Sequence, residues 1–107
     1  MGLMQRMIEK YPKNFANCYD FSIGEGWNDL VERLIDQVIA LDPEIQIDQI
    51  KEKFGGLRFY TGGTTDDVQF LIECAEDASE RTCDVCGSEG ITRENRGWLA
   101  CRCEIHK

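Results

Sequence analysis

The stretch Cys83-Asp84-Val85-Cys86-Gly87-Ser88-Glu89-Gly90-Ile91-Thr92-Arg93-Glu94-Asn95-Arg96-Gly97-Trp98-Leu99-Ala100-Cys101-Arg102-Cys103-Glu104-Ile105-His106 organises this chain. Cys83 and Cys86 form a C-x-x-C knuckle followed by Gly87, and Cys103 and His106 form a C-x-x-H pair. Two thiolates separated by two residues can turn back on one point, and a second half-site completes a tetrahedron. Thiolate and neutral imidazole are the ligands that zinc prefers. Spacing therefore predicts a structural zinc site at Cys83, Cys86, Cys103 and His106. Cys101 is an alternate ligand: on a strand it would point to the same side as Cys103, so five groups compete for four places.

Outward from this stretch, length and composition set the frame. A chain of 107 residues makes one modest core, of the size that benefits from a metal. Its 42% hydrophobic and 30% charged residues are ordinary for a soluble globular protein. Six cysteines also suit a disulfide framework, but no apolar signal segment opens the chain. A cytoplasmic location with reduced thiols is expected, with no membrane association. The net charge of -8 opposes nucleic-acid binding by bulk electrostatics. Only residues 51–63 are net positive, and residues 83–107 balance four acids with four bases.

Leu3, Met4, Met7, Ile8 and Tyr11 mark one stripe of a short helix ended by Pro12. Cys18 to Ile23 alternates like a half-buried strand, broken by Gly24 and Gly26. Trp27, Leu30, Val31, Leu34, Ile35, Val38, Ile39 and Leu41 then share one helical face, and Asp42-Pro43 ends that helix. Thr64 and Asp67 stand at capping-box spacing for another helix, with Val68, Leu71, Ile72, Ala75 and Ala78 as its apolar stripe.

Between these helices, Ile45 to Thr61 reads as a hairpin closed by a two-residue Gly55-Gly56 loop. That loop sets Phe54 opposite Leu57, Lys53 opposite Arg58, Glu52 opposite Phe59 and Lys51 opposite Tyr60. Ile50, Phe54, Leu57 and Phe59 would then cover the core, and Lys51, Lys53, Arg58 and Tyr60 would form the outer face. Like charges directly opposite one another are unfavourable. Either the acidic helices neutralise this face, or it is a binding surface for an acidic partner or a phosphate.

After the second long helix, the knuckle, a strand from Ile91, a turn at Asn95-Arg96-Gly97, a strand from Trp98 and the second half-site make a zinc-ribbon-like module. The expected fold is α+β: a small antiparallel sheet with packed helices over residues 1–82, hairpin 45–61 included, and a zinc-binding module over 83–107 packed on the same domain. No catalytic constellation stands out. The sole histidine is assigned to the metal, and a closed four-ligand set leaves no position for water.

Gly26-Trp27, the run Lys51-Glu52-Lys53-Phe54-Gly55-Gly56-Leu57-Arg58-Phe59-Tyr60, and the ending from Cys83 through Gly97-Trp98 to Cys103 and His106 resemble a family of small uncharacterised bacterial, phage and prophage proteins. The resemblance implies Cys103 and His106 as the second half-site, with Cys101 an extra thiol. It implies a small accessory role, such as modulating or inhibiting host machinery from the host cytoplasm. The expected function is a non-enzymatic, zinc-stapled protein-interaction module with a host protein as partner. A nucleic-acid-binding zinc ribbon using the basic hairpin face is the alternative.

Overall fold

A computed structural model describes residues 2–107. In chain order the elements are α1 (Leu3–Lys10), β1 (Asp20–Ser22), a 3-10 turn (Glu25–Trp27), α2 (Asn28–Leu41), β2 (Ile47–Lys53), β3 (Gly56–Thr61), α3 (Asp66–Ser79), β4 (Ile91–Asn95) and β5 (Trp98–Arg102). The class is α+β. Strands β1, β2 and β3 form one sheet in that order, and β4 and β5 form a separate two-stranded ribbon. Only part of the larger sheet is antiparallel, because β1 pairs with β2 in parallel. Parallel neighbours need a long crossover, which the 3-10 turn and α2 supply.

The apolar stripes read from the sequence account for most of the core. Val31, Leu34, Ile35, Val38 and Ile39 of α2 and Val68, Ile72 and Ala75 of α3 bury together with Ile47, Ile50, Leu57 and Phe59 of the sheet. Leu3 and Met7 anchor α1, whereas Met4 and Ile8 remain exposed. Arg6 forms a two-pronged ion pair with Glu32, and Tyr11 donates a 2.5 Å hydrogen bond to Asp36, tying α1 to α2. The N-cap of α3 is Thr65, whose side chain accepts from Val68 N–H at 3.4 Å. The cap therefore lies one residue beyond the expected Thr64.

The hairpin register is also displaced. Lys53 faces Gly56, Glu52 faces Leu57, Lys51 faces Arg58 and Ile50 faces Phe59, so the two turn residues are Phe54 and Gly55. Both have positive φ, +54° and +84°, as the type I′ turn requires. Moving the turn by one residue changes each partner by two, so the alternation of faces survives. Phe54 is the exception: it leaves the core face and stands 69% exposed at the tip. Glu52 accepts the Gly55 N–H at 2.7 Å, and Gly55 sits against Ala100 and Thr92 of the ribbon. Both contacts favour the turn that forms.

The outer edge of β3 is closed by side chains of α3. Leu57 N–H donates to Ser79 Oγ at 2.9 Å and Phe59 N–H to Glu76 Oε2 at 3.1 Å. Two groups that a further strand would otherwise satisfy are thus paired, which protects the edge. Burial raises the Glu76 carboxyl above its usual range, although the Phe59 N–H and the Arg58 charge act against that rise.

Candidate metal centre

The knuckle forms because the chain leaves α3 through Thr82 and turns sharply. Gly87 supplies the left-handed position at φ +83°, and its N–H returns to the Cys83 carbonyl at 2.9 Å. Cys83 N–H donates to Ser88 O at 2.7 Å, closing the loop from the other side. At the far end β5 stops at Arg102, so Cys103 is free to turn, and His106 N–H reaches the Cys103 carbonyl at 3.3 Å.

These two turns bring Cys83, Cys86, Cys103 and His106 together, with one ligand atom from each within 4.8 Å of all the others. Cys86 Sγ lies 3.7 Å from Cys103 Sγ, and His106 Nδ1 lies 3.9 Å from Cys83 Sγ and 3.2 Å from Cys103 Sγ. All six cysteines are free thiols. The four residues can hold a metal ion. Burial works against ionisation of Cys83, but N–H groups of Cys103, Cys86 and Val85 outweigh it and lower that thiol to about 6. Cys83 is therefore predisposed to be a thiolate.

Cys101 is outside the group. It lies on β5 opposite Thr92, is fully buried, and joins the hydrophobic core. Cys101 and Cys103 would share a side only if the strand ran through both, and it ends between them. Burial raises the Cys101 thiol, and the charge of Cys83 raises it further. The fifth sulfur is a core residue.

The knuckle is seated on the domain by contacts the sequence did not disclose. Gly26 N–H donates to Asp84 O at 3.0 Å, and Trp27 Nε1 donates to Thr82 O at 2.8 Å. Asp84 N–H in turn donates to Cys101 O at 3.0 Å. A Cβ on Gly26 would overlap the Cys83 carbonyl, and one on Gly24 would overlap that of Asp84. These glycines are landing sites for the metal loop as well as strand breakers.

The expected basic face exists, since Lys51, Lys53, Arg58 and Tyr60 lie on one side of the hairpin. None of the three bases forms an ion pair among the described residues, so the acidic helices do not clamp them. Lys51 Nζ stands 6.0 Å from the Tyr60 ring centre and Lys53 Nζ 5.5 Å from that of Phe54, while Arg58 donates to Leu57 O at 3.1 Å.

A feature absent from the sequence reading adjoins this face. The tips of the two hairpins meet, and between them lies a cleft of about 280 Å³ lined by Glu52, Lys53, Phe54, Gly97, Trp98 and Leu99. Trp98 is 79% exposed. It also borders a second depression of about 280 Å³ on the outer face of the ribbon, where Arg93, Arg96, Arg102 and Lys107 gather. Strand alternation places Arg93, Ala100 and Arg102 on this outer side and Thr92, Cys101 and Leu99 on the other. The cleft was not legible locally, because it joins residues distant in sequence, whereas the outer depression is lined wholly by residues 93–107 and its Arg93, Arg96, Arg102 and Trp98 stand out in the sequence as a candidate basic surface.

Among the described residues, no helix is long and apolar enough to cross a membrane. No protein-family model, curated protein or solved structure matches the chain.

Proposed function

We propose that this chain is a non-enzymatic protein-interaction module stapled by zinc, and that its contact surface is the cleft between the two hairpin tips. Three sulfurs and one imidazole nitrogen suit zinc. At metal–ligand distances of about 2.3 Å for sulfur and about 2.05 Å for nitrogen, tetrahedral corners stand about 3.8 and 3.5 Å apart. The separations of 3.7, 3.9 and 3.2 Å agree with that size. Zinc bound there cross-links the knuckle to the end of β5. The ligand set closes the site, so its contribution is stability.

The observation that carries the interaction reading is Phe54. A bulky residue at φ +54° costs roughly 1 kcal/mol relative to glycine or asparagine, yet Phe54 stands 69% exposed in the cleft that Trp98 also lines. Trp98, bordered by arginines on the ribbon face, is of the residue type that dominates protein-binding hot spots. The resemblance to phage and prophage proteins adds a setting, a host component as the partner.

The test compares proteins recovered by the zinc-loaded wild type and by Phe54→Ser/Trp98→Ser. A stoichiometric partner retained by the first and lost by the second is expected. No such partner, or equal recovery by both, would refute the reading.

A further inference from the structure

We infer that the segment docking on this surface is a short stretch of protein with apolar side chains at one end and acidic side chains at the other, laid across Trp98 from one depression to the other. This inference rests on the interaction reading and specifies its ligand.

The two depressions differ in chemistry. On one side of Trp98, Phe54 and Leu99 offer an apolar seat with Lys53 at its rim. On the other, four bases surround an opening that also includes Ala100 and Asn95. Internal carboxylates offset part of that charge. Glu104 contacts Arg93 at 3.5 Å and Lys107 at 2.8 Å, and Asp84 lies 2.5 Å from Arg102 Nε. Arg96 has no carboxylate within ion-pair distance among the described residues. The ribbon face thus carries two bases in excess of its acids.

That excess matches one or two carboxylates and is small for a phosphate strand. Nucleic-acid affinity comes from neutralising many phosphates, and the rest of this chain is strongly acidic. An extended peptide fits better. Its side chains can place an aliphatic group against Phe54 and Leu99, and a nearby carboxylate against Arg96 and Lys107. Trp98, standing between the seats, contributes a large rigid contact at little entropic cost.

The chain contains two tryptophans, and Trp27 is fully buried, so acrylamide quenching of tryptophan emission reports chiefly on Trp98. Three probes are titrated into the zinc-loaded protein: a short peptide with a glutamate block next to a leucine block, its lysine–leucine counterpart, and an oligothymidylate of equal length. The glutamate–leucine peptide is expected to shield Trp98, and the lysine–leucine peptide to leave it open. Arg96→Glu/Lys107→Glu should weaken the acidic peptide by about tenfold, the scale of two partly exposed ion pairs. Both positions are exposed, and unchanged zinc content and circular dichroism certify the fold.

Shielding by both peptides alike, or no loss in the charge-reversed variant, would overturn the inference. Shielding by oligothymidylate alone would reassign the surface to single-stranded nucleic acid. If no probe shields Trp98 while a partner is still captured and lost on Phe54→Ser/Trp98→Ser, the interaction reading stands and the acidic segment falls.

Discussion

The indole N–H of Trp27 donates a 2.8 Å hydrogen bond to the carbonyl of Thr82, the residue before Cys83 of the candidate metal centre. Trp27 is fully buried at the head of α2, so this bond joins the centre of the core to the metal loop. Gly26 fastens the same loop through its N–H to Asp84, and it has no room for a side chain. The loop and the core are therefore one packed unit, and a change on either side should register on the other.

Gly26→Ala is expected to cost about 3 kcal/mol or more, because backbone on both sides of the contact must move. It should also speed zinc transfer to a chelator without altering any ligand. Gly63→Ala is the control, since a Cβ there meets nothing within 4 Å. Denaturation midpoints and chelator kinetics on both variants check this, and wild-type zinc release from Gly26→Ala would count against the coupling.

Substitution separates the two classes of C-terminal cysteine. Cys83→Ser and Cys86→Ser should lose bound zinc by elemental analysis, and chelation should loosen the C-terminal module first. Cys101→Ser should keep full zinc stoichiometry yet lose about 1 to 3 kcal/mol, the cost of a hydroxyl in a fully buried apolar site. Metal loss from Cys101→Ser would place that sulfur in the site.

The two hairpin glycines should differ in sensitivity. Gly55→Ala forces a Cβ onto a residue at φ +84° and should cost about 1 to 2 kcal/mol. Gly56 is extended, and the nearest atom to an added Cβ is the end of the flexible Arg58 side chain at 3.2 Å. Gly56→Ala should therefore cost under about 0.5 kcal/mol. Equal losses by urea unfolding would restore the Gly55-Gly56 loop.

The closed edge of β3 makes two further claims on stability. Ser79→Ala leaves the buried Leu57 N–H without an acceptor, and a loss of about 1 to 3 kcal/mol is expected. Glu76→Gln keeps an acceptor for Phe59 while removing a carboxyl whose ionisation is disfavoured by burial. With the folded pKa raised, the wild type is favoured below the ordinary carboxyl value and loses that advantage as pH rises through the folded value. Stability curves across mild acid should be flatter for Glu76→Gln; parallel curves would exclude burial as the cause.

Periodicity in the sequence determined the helices, the hairpin and the ribbon, because burial of an apolar stripe is a local demand written every three to four residues, or every two. C-x-x-C and C-x-x-H spacing likewise located the two candidate half-sites, because each is a short turn whose reach is set within a few residues, but it left Cys101 in competition with His106. Tertiary structure brought His106 rather than Cys101 into the cluster, since that depended on where β5 ends. It also moved the hairpin turn onto Phe54-Gly55, where Glu52 and the ribbon press on one tip. The Phe54 and Trp98 cleft and the seat of the metal loop on Gly24 and Gly26 arise from approaches between distant segments. A linear pattern does not encode such distances, because packing the whole core is what brings those surfaces together.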